Sequence, residues 1–271
     1  MRRAWKMLAA TILPVLFAGF SARGEEPPLP PVRTVLERML ERVEQEEVDA
    51  HTFKHRYSYT RTRVKEFRNG DNQLKKRETK TRVNNPAMTA VNQPEPAEPD
   101  ESSDTGDRPR TVSDTHTNVK GKAFEKSDFP LNEDLLKRFD FSVSGREVVN
   151  GRRALIVEFK PARKKPPEKG IKDRFINKAA GRAWVDEIEY ALVKAEIHLT
   201  EQVNVVGGLV GAVSKFTLSM ERDRTPEGLW YTRKQNWHLE GREVFLRRKV
   251  DFYEEHKDVR KVLETETAQL R

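Results

Sequence analysis

The sequence predicts a mainly β protein of the α+β class, an antiparallel sheet preceded by one amphipathic helix. Three observations carry this prediction. Apolar and polar residues alternate with a period of two along many short runs after residue 140. The connections between those runs are short and rich in turn residues, unlike the crossover helices that a parallel sheet requires. The longest stripe of apolar residues at helical spacing lies near the N-terminus, over residues 32 to 48.

The chain opens on the basic stretch MRRAWK, followed by a run from Met7 to Phe20 that is apolar apart from Thr11, Pro14 and Gly19. This is the n-region and h-region order of a signal peptide, with Ala22 and Gly24 as small residues at the cleavage site. Residues 1–24 are therefore expected to be a leader and residues 25–271 a single β domain, exported to the periplasm of a Gram-negative-type bacterium. The apolar run is shorter than the ~20 residues a helix needs to cross a bilayer. The formal charge is +8, and Arg2, Arg3, Lys6 and Arg23 lie in the leader with no carboxylate beside them, which leaves +4 on the rest. That small excess, spread over many charges of both signs, argues against a nucleic-acid partner. The chain has no cysteine, so no disulfide, thiolate metal site or acyl-carrying cysteine can form.

After a stiff segment with Pro27, Pro28, Pro30 and Pro31, the residues Val32, Val35, Leu36, Met39, Leu40 and Val43 define the helix over 32–48. Its apolar stripe must cover a core or roof a cavity. From His51 the period changes to two, with Phe53, Tyr57 and Tyr59 on one face, and a strand is expected there. Asn69 and Gly70 turn the chain into a second, polar strand from Gln73 to about Val83, whose Lys75, Lys76, Arg77 and Lys80 suit a defended sheet edge. Residues 84–117 mix Pro86, Pro94, Pro96, Pro99 and Pro109 with carboxylates and almost no large apolar residue, which predicts a disordered or long-loop insert. A short helical stretch follows Pro130, with Leu131, Leu135, Leu136 and Phe139 on one side.

The hairpin closed by Asn150-Gly151 is the clearest β signal, since this dipeptide favours the turn that matches strand twist. Ala183-Trp184-Val185 is expected to pair with the alternating run Ala191 to Leu199, and Phe216, Leu218 and Met220 mark a further strand. Pro226 to Gly228 turns the chain into a run from Leu229 to Leu239, and a last strand spans Val244 to Phe252. Between Val203 and Lys215, VVGGLVGAVSK lacks the Gly-Lys-Ser/Thr ending of a phosphate loop and reads as a buried structural strand, the alternative being a bulged strand or apolar loop near a cavity mouth.

No nucleophile or metal constellation is visible. His51 and His55 stand four apart without the Glu of a zinc helix motif, and placed on a strand they would not converge. His198 and His238 fall on the wetter faces of their strands, and Ser142 and Ser144 lie within a strand pattern without a nearby His. The expectation is a non-enzymatic protein with no cofactor and no metal.

The stretch GRAWVDEIEYALVKAEIHL from Gly181 to Leu199 resembles the LolA/LolB-like superfamily of periplasmic lipoprotein carriers, nearer its lipoprotein-sorting-like members. Gly181, Trp184, Val185 and Asp186, then Val193, Lys194 and Glu196, carry the likeness, together with the order of leader, helix and hairpin. The resemblance implies a curved antiparallel sheet, or half-barrel, with the N-terminal helix and short helices over its concave face. A curved sheet with an apolar inner face can shield a chain that water disfavours by ~0.8 kcal/mol per CH₂, so the expected function is a carrier for a hydrophobic ligand, such as a lipid, acyl chain or lipoprotein anchor. Tyr57, Tyr59, Trp184, Val193, Ile197, Phe216 and Leu218 are the expected cavity lining. The loop from Pro161 to Lys178, with Arg163, Lys164 and Lys165 beside Ile171, Phe175 and Ile176, reads as a solvated loop, with peripheral contact with anionic lipid as the alternative, and a monomer is expected. The alternative is an envelope sensor or scaffold that docks partner proteins and holds no small ligand.

Overall fold

In the computed structural model, which describes residues 26–89, 131–205, 211–243 and 245–262, the N-terminal stripe forms two helices. Helix α1 covers Val32–Glu41 and α2 covers Val43–Arg56, with a break at Arg42. The single helix and the strand expected from His51 are both corrected here. Phe53 and Tyr57 stand four apart and so share a helical face as readily as a strand face, and the run VEQEEVDAHTFKHR is rich in strong helix formers. His51 and His55 consequently do converge, their rings 4.3 Å apart on the surface of α2. The expected leader lies outside the described residues.

Ten strands follow: β1 (Tyr57–Asn69), β2 (Leu74–Asn84), β3 (Phe139–Val149), β4 (Arg152–Pro161), β5 (Ala179–Asp186), β6 (Leu192–Leu199), β7 (Val203–Val205), β8 (Gly211–Arg224), β9 (Trp230–Glu243) and β10 (Leu246–Lys261). Short helices α3 (Pro86–Thr89), α4 (Glu133–Leu136) and α5 (Ile171–Ile176) lie between them. The strands form one sheet in the order β2-β1-β10-β9-β8-β6-β5-β4-β3, with β7 continuing the pairing along β8, and every ladder is antiparallel. β2 and β3 are the two edges, so the sheet is open. Register shifts interrupt five of the ladders, each a bulge that bends its strand and coils the sheet.

Asn150 and Gly151 adopt φ of 50° and 76°, the paired positive values that the β3–β4 turn demands and that a dipeptide of this type tolerates. β10 runs on to Lys261, past the expected end at Phe252. Its extension pairs with β1 through charged side chains, Arg63 with Glu254 for one, so no apolar alternation marks it in the sequence. Of the expected insert, Asn84 closes β2 and 86–89 form α3, while residues from 90 onward lie outside the described set. The chain between β7 and β8 lies outside it too, at 206–210.

The two faces of the sheet differ in chemistry. On the inner face, Val213, Phe216, Trp237, Leu239, Val250 and Phe252 form one buried cluster, and Leu155, Val157 and Val185 form another with Val35 of α1. The outer face carries cross-strand ion pairs, among them Arg182–Glu196 at 3.0 Å and His238–Asp251 at 2.7 Å. Among the described residues the helices cover the inner face. α1 lies over β3, β4 and β5. α2 lies over β9 and β1, where Phe53 stacks on Tyr231 with ring centroids 4.5 Å apart, and α5 sets Phe175 against Phe216 at 4.9 Å. Ile171, Phe175 and Ile176 of the basic loop are thereby used in the core, which leaves that loop's cations as what it presents outward.

Candidate functional site

The apolar stripe of α1 divides between two neighbours. Val35 is completely buried against Leu155, Val157 and Val185, with Val32 and Met39 packed beside it. Leu36 and Leu40 turn toward the flank and, with Val32, form the roof of a groove at the β3 edge of the sheet. Leu136 of α4 closes its side, and Phe139 and Phe141 of β3 form its floor. α4 is set by a cap, since the Leu135 N–H donates to the side-chain oxygen of Asn132 at 2.8 Å. In the floor, Phe139 and Phe141 pack edge-on at 5.9 Å between centroids, and Phe139 does the same with Phe159 of β4 at 5.2 Å.

The groove is open to solvent and has a volume of about 490 Å³, within the range of small-molecule sites. Its rim is polar, made by Arg33, Glu37, Glu133 and Asp140. Arg33 and Glu37 form an exposed ion pair at 2.7 Å, and this hydrogen bond, with the carboxylate charge behind it, raises the guanidinium above its ordinary pKa. Among the described residues the lining contains no His, Ser, Thr or Cys, so it offers shape and apolar contact, with charges at the mouth.

Toward the opposite edge the inner face turns polar. Glu254 and His256 follow Val250 and Phe252 along β10 at the two-residue period, facing Arg63 and Arg61 of β1. His256 packs edge-on to Tyr59 at 4.9 Å, and burial, reinforced by Arg61 and Arg63 against the opposing pull of Glu254, lowers its pKa below 6.5. A histidine whose folded pKa is depressed stabilises the fold above its unfolded pKa and progressively less as pH falls through the window below it. Thermal unfolding from pH 8 to pH 5 should therefore show a loss of stability beginning near pH 6.5, and His256→Asn should remove that portion of the loss. An unchanged pH profile in the variant would contradict this placement of the ring.

The seven residues expected to line a cavity fall in three places. Phe216 and Leu218 belong to the inner cluster beneath α5, with Ile197 beside Leu218 in the β6–β8 register. Tyr57 and Tyr59 stack on Phe53 at 5.3 and 5.1 Å, and the Tyr57 hydroxyl donates to Glu227. Trp184 and Val193 join Ala154, Ala191 and Trp230 in a separate cluster, where the Trp184 indole donates to Glu147 at 2.7 Å. None of the seven lines the groove. Its roof and side were visible as the helical stripe and as Leu136 and Phe139, whereas Phe141 is signalled only by its alternation with Asp140 and Ser142.

No protein-family model and no curated protein sequence matches the chain. It is similar in structure to an outer membrane lipoprotein-sorting protein domain from Vibrio parahaemolyticus, at 11% identity over 86% of this chain and 97% of that one, with a TM-score of 0.31. A DUF1329 family protein from Desulfovibrio piger is similar at 15% identity over 90% and 98% of the two chains, with a TM-score of 0.35. A LolA superfamily protein from Nitrosomonas europaea is similar at 10% identity over 88% and 97%, with a TM-score of 0.27. These superpositions are loose. The fold class rests on the strand order and helix placement of the chain itself: an open antiparallel sheet with helices on one face.

Proposed function

We propose that this is a non-enzymatic, exported binding or carrier protein for a hydrophobic ligand, and that an acyl chain of a lipid or lipoprotein anchor lies in the groove under α1. The single observation behind this reading is the groove, about 490 Å³ of space with an aliphatic roof and an aromatic floor. Each methylene moved from water into such a site is favourable by about 0.8 kcal/mol, so a short stretch of chain supplies useful affinity. Arg33, Glu37, Glu133 and Asp140 then stand where a polar headgroup would leave the groove. The periplasm is the proposed location, on the strength of the basic and apolar leader pattern in residues 1–24.

Titration with a fluorescent fatty acid tests the assignment. Wild-type protein should bind it saturably, and Leu36→Glu, which sets a carboxylate into the apolar roof, should weaken binding at least about tenfold. Leu74→Glu, on the exposed edge strand β2, should leave it unchanged. Equal binding by the Leu36 variant and the wild type would move the ligand elsewhere.

A further inference from the structure

The two ends of the sheet differ in a way the groove does not use. Following the strand directions, one end gathers the β1–β2 turn, the loop from Pro161 to Lys178 and the β9–β10 turn. Phe245 lies in the last of these, beside the pairing of Glu243 with Leu246, and it is 89% exposed, with Leu246 at 63%. The β1–β2 turn packs against it, since a Cβ on Gly70 would stand 3.1 Å from that of Arg247, and Leu74 beyond it is 48% exposed. Large apolar side chains that protrude together mark a contact surface.

Cations surround them. Arg247 and Arg248 follow directly in β10, and Lys75 and Lys76 follow Leu74 in β2. The loop 162–178 adds seven cations against two carboxylates, and among the described residues no ion pair engages its exposed Arg163, Lys164 or Lys165. Other cations of this end are paired, Arg248 with Glu243, Lys76 with Glu78, Arg174 with Glu168 and Lys178 with Glu201, and at the opposite end Arg152 binds Asp186 and Glu189, Arg146 binds Glu187, and Lys261 binds Glu227. Ile188, Val83 and Val148 are exposed there too, at 81%, 69% and 66%, and Glu187 and Glu189 flank Ile188. At the Phe245 end, protruding apolar side chains stand beside a loop with seven cations and two carboxylates.

We infer that this end is a docking face for an anionic phospholipid surface, with Phe245 and Leu246 entering the interfacial layer and the cations of the three loops seated among the headgroups. Apolar insertion combined with several cations is the pairing that peripheral membrane attachment needs. The inference does not depend on the groove holding a lipid.

Vesicle co-sedimentation tests it, using the purified protein with every variant compared in the same form. Wild type should bind phosphatidylglycerol/phosphatidylethanolamine vesicles at low salt, bind pure phosphatidylcholine much less, and be largely released at high salt. Phe245→Ser combined with Leu246→Ser should lower the partition about tenfold or more. Lys164→Glu with Lys165→Glu should also lower it at least tenfold, as each cation near the surface contributes about fivefold. All four positions are exposed, and circular dichroism verifies that the variants stay folded. Leu36→Glu should keep full vesicle binding, which separates failure of the groove from failure of this face. No sedimentation with anionic vesicles, equal binding to neutral ones, or unchanged binding after loss of Phe245 and Leu246 would each overturn the inference.

Discussion

Asp186→Ala should destabilise the protein by about 3 kcal/mol or more, because it removes the acceptor on which the β5–β6 turn is built. The carboxylate is 1% exposed and receives two bonds from Arg152, at 2.6 and 3.0 Å, plus the N–H groups of Ile188 at 3.0 Å and Glu189 at 2.7 Å. Without it, two turn donors and a partly buried guanidinium lose their partner, and the turn, which already holds Tyr190 at a φ of 54°, loses what pins it. A chain of this size should show a fall of roughly 6–12 °C in Tm. Burial alone would raise the Asp186 carboxyl, but the Arg152 bond and the two backbone donors outweigh it and hold its pKa below 3.8. A depressed carboxylate gives stability that is complete above its unfolded pKa and is lost as pH falls through the folded one. The gap between wild type and Asp186→Ala should therefore stay constant from neutral pH to about 4 and close below that. A gap that closes at higher pH would contradict the Arg152–Asp186 pairing.

Gly181→Ala should cost about 3 kcal/mol or more by a different route. A Cβ at this position would stand 2.0 Å from the Glu196 carbonyl oxygen and 3.0 Å from both the Glu196 carbonyl carbon and the Ile197 Cα. All three are backbone atoms of β6, so no side chain can swing aside, and the β5–β6 ladder must part where Gly181 opposes Ile197. The β-carbon of Gly145→Ala meets only the Ile156 Cδ1, at 3.9 Å, and this variant is the matched control. Chemical denaturation of the two variants should give a large drop for the first and little change for the second. Tolerance of alanine at 181 would mean that the β5–β6 register is different.

Signals that act over a few residues were the ones legible in the sequence. Asn150-Gly151 forms the expected hairpin because the turn is decided by its own dihedrals, and the alternation of Phe216, Leu218 and Met220 placed those residues on one face. The second half of α2, beyond the expected helix over 32–48, was missed because Phe53 and Tyr57 satisfy both periods, and what decides between them is distant: Phe53 stacks on Tyr231, and Glu46 pairs with Arg222 at 2.8 Å. The far half of β10 was missed because its own residues 254–261, EEHKDVRK, are nearly all charged and show no apolar alternation. For the site, the stripe of α1 was legible, but its division into Val35 for the core and Leu36 with Leu40 for the groove depends on where β3 and α4 lie. Trp184 has the look of a cavity residue, yet its indole bond to Glu147 and its packing with Trp230 place it in a closed cluster.

Native mass spectrometry of the protein purified from the envelope of its own host puts the groove to the most direct trial. Wild type should carry an acyl-bearing adduct that dissociates on activation, and the Leu36→Glu protein from the same membranes should arrive bare. Wild type without any adduct, or an adduct kept undiminished by the variant, would contradict the account and leave the groove as a surface for a protein partner instead.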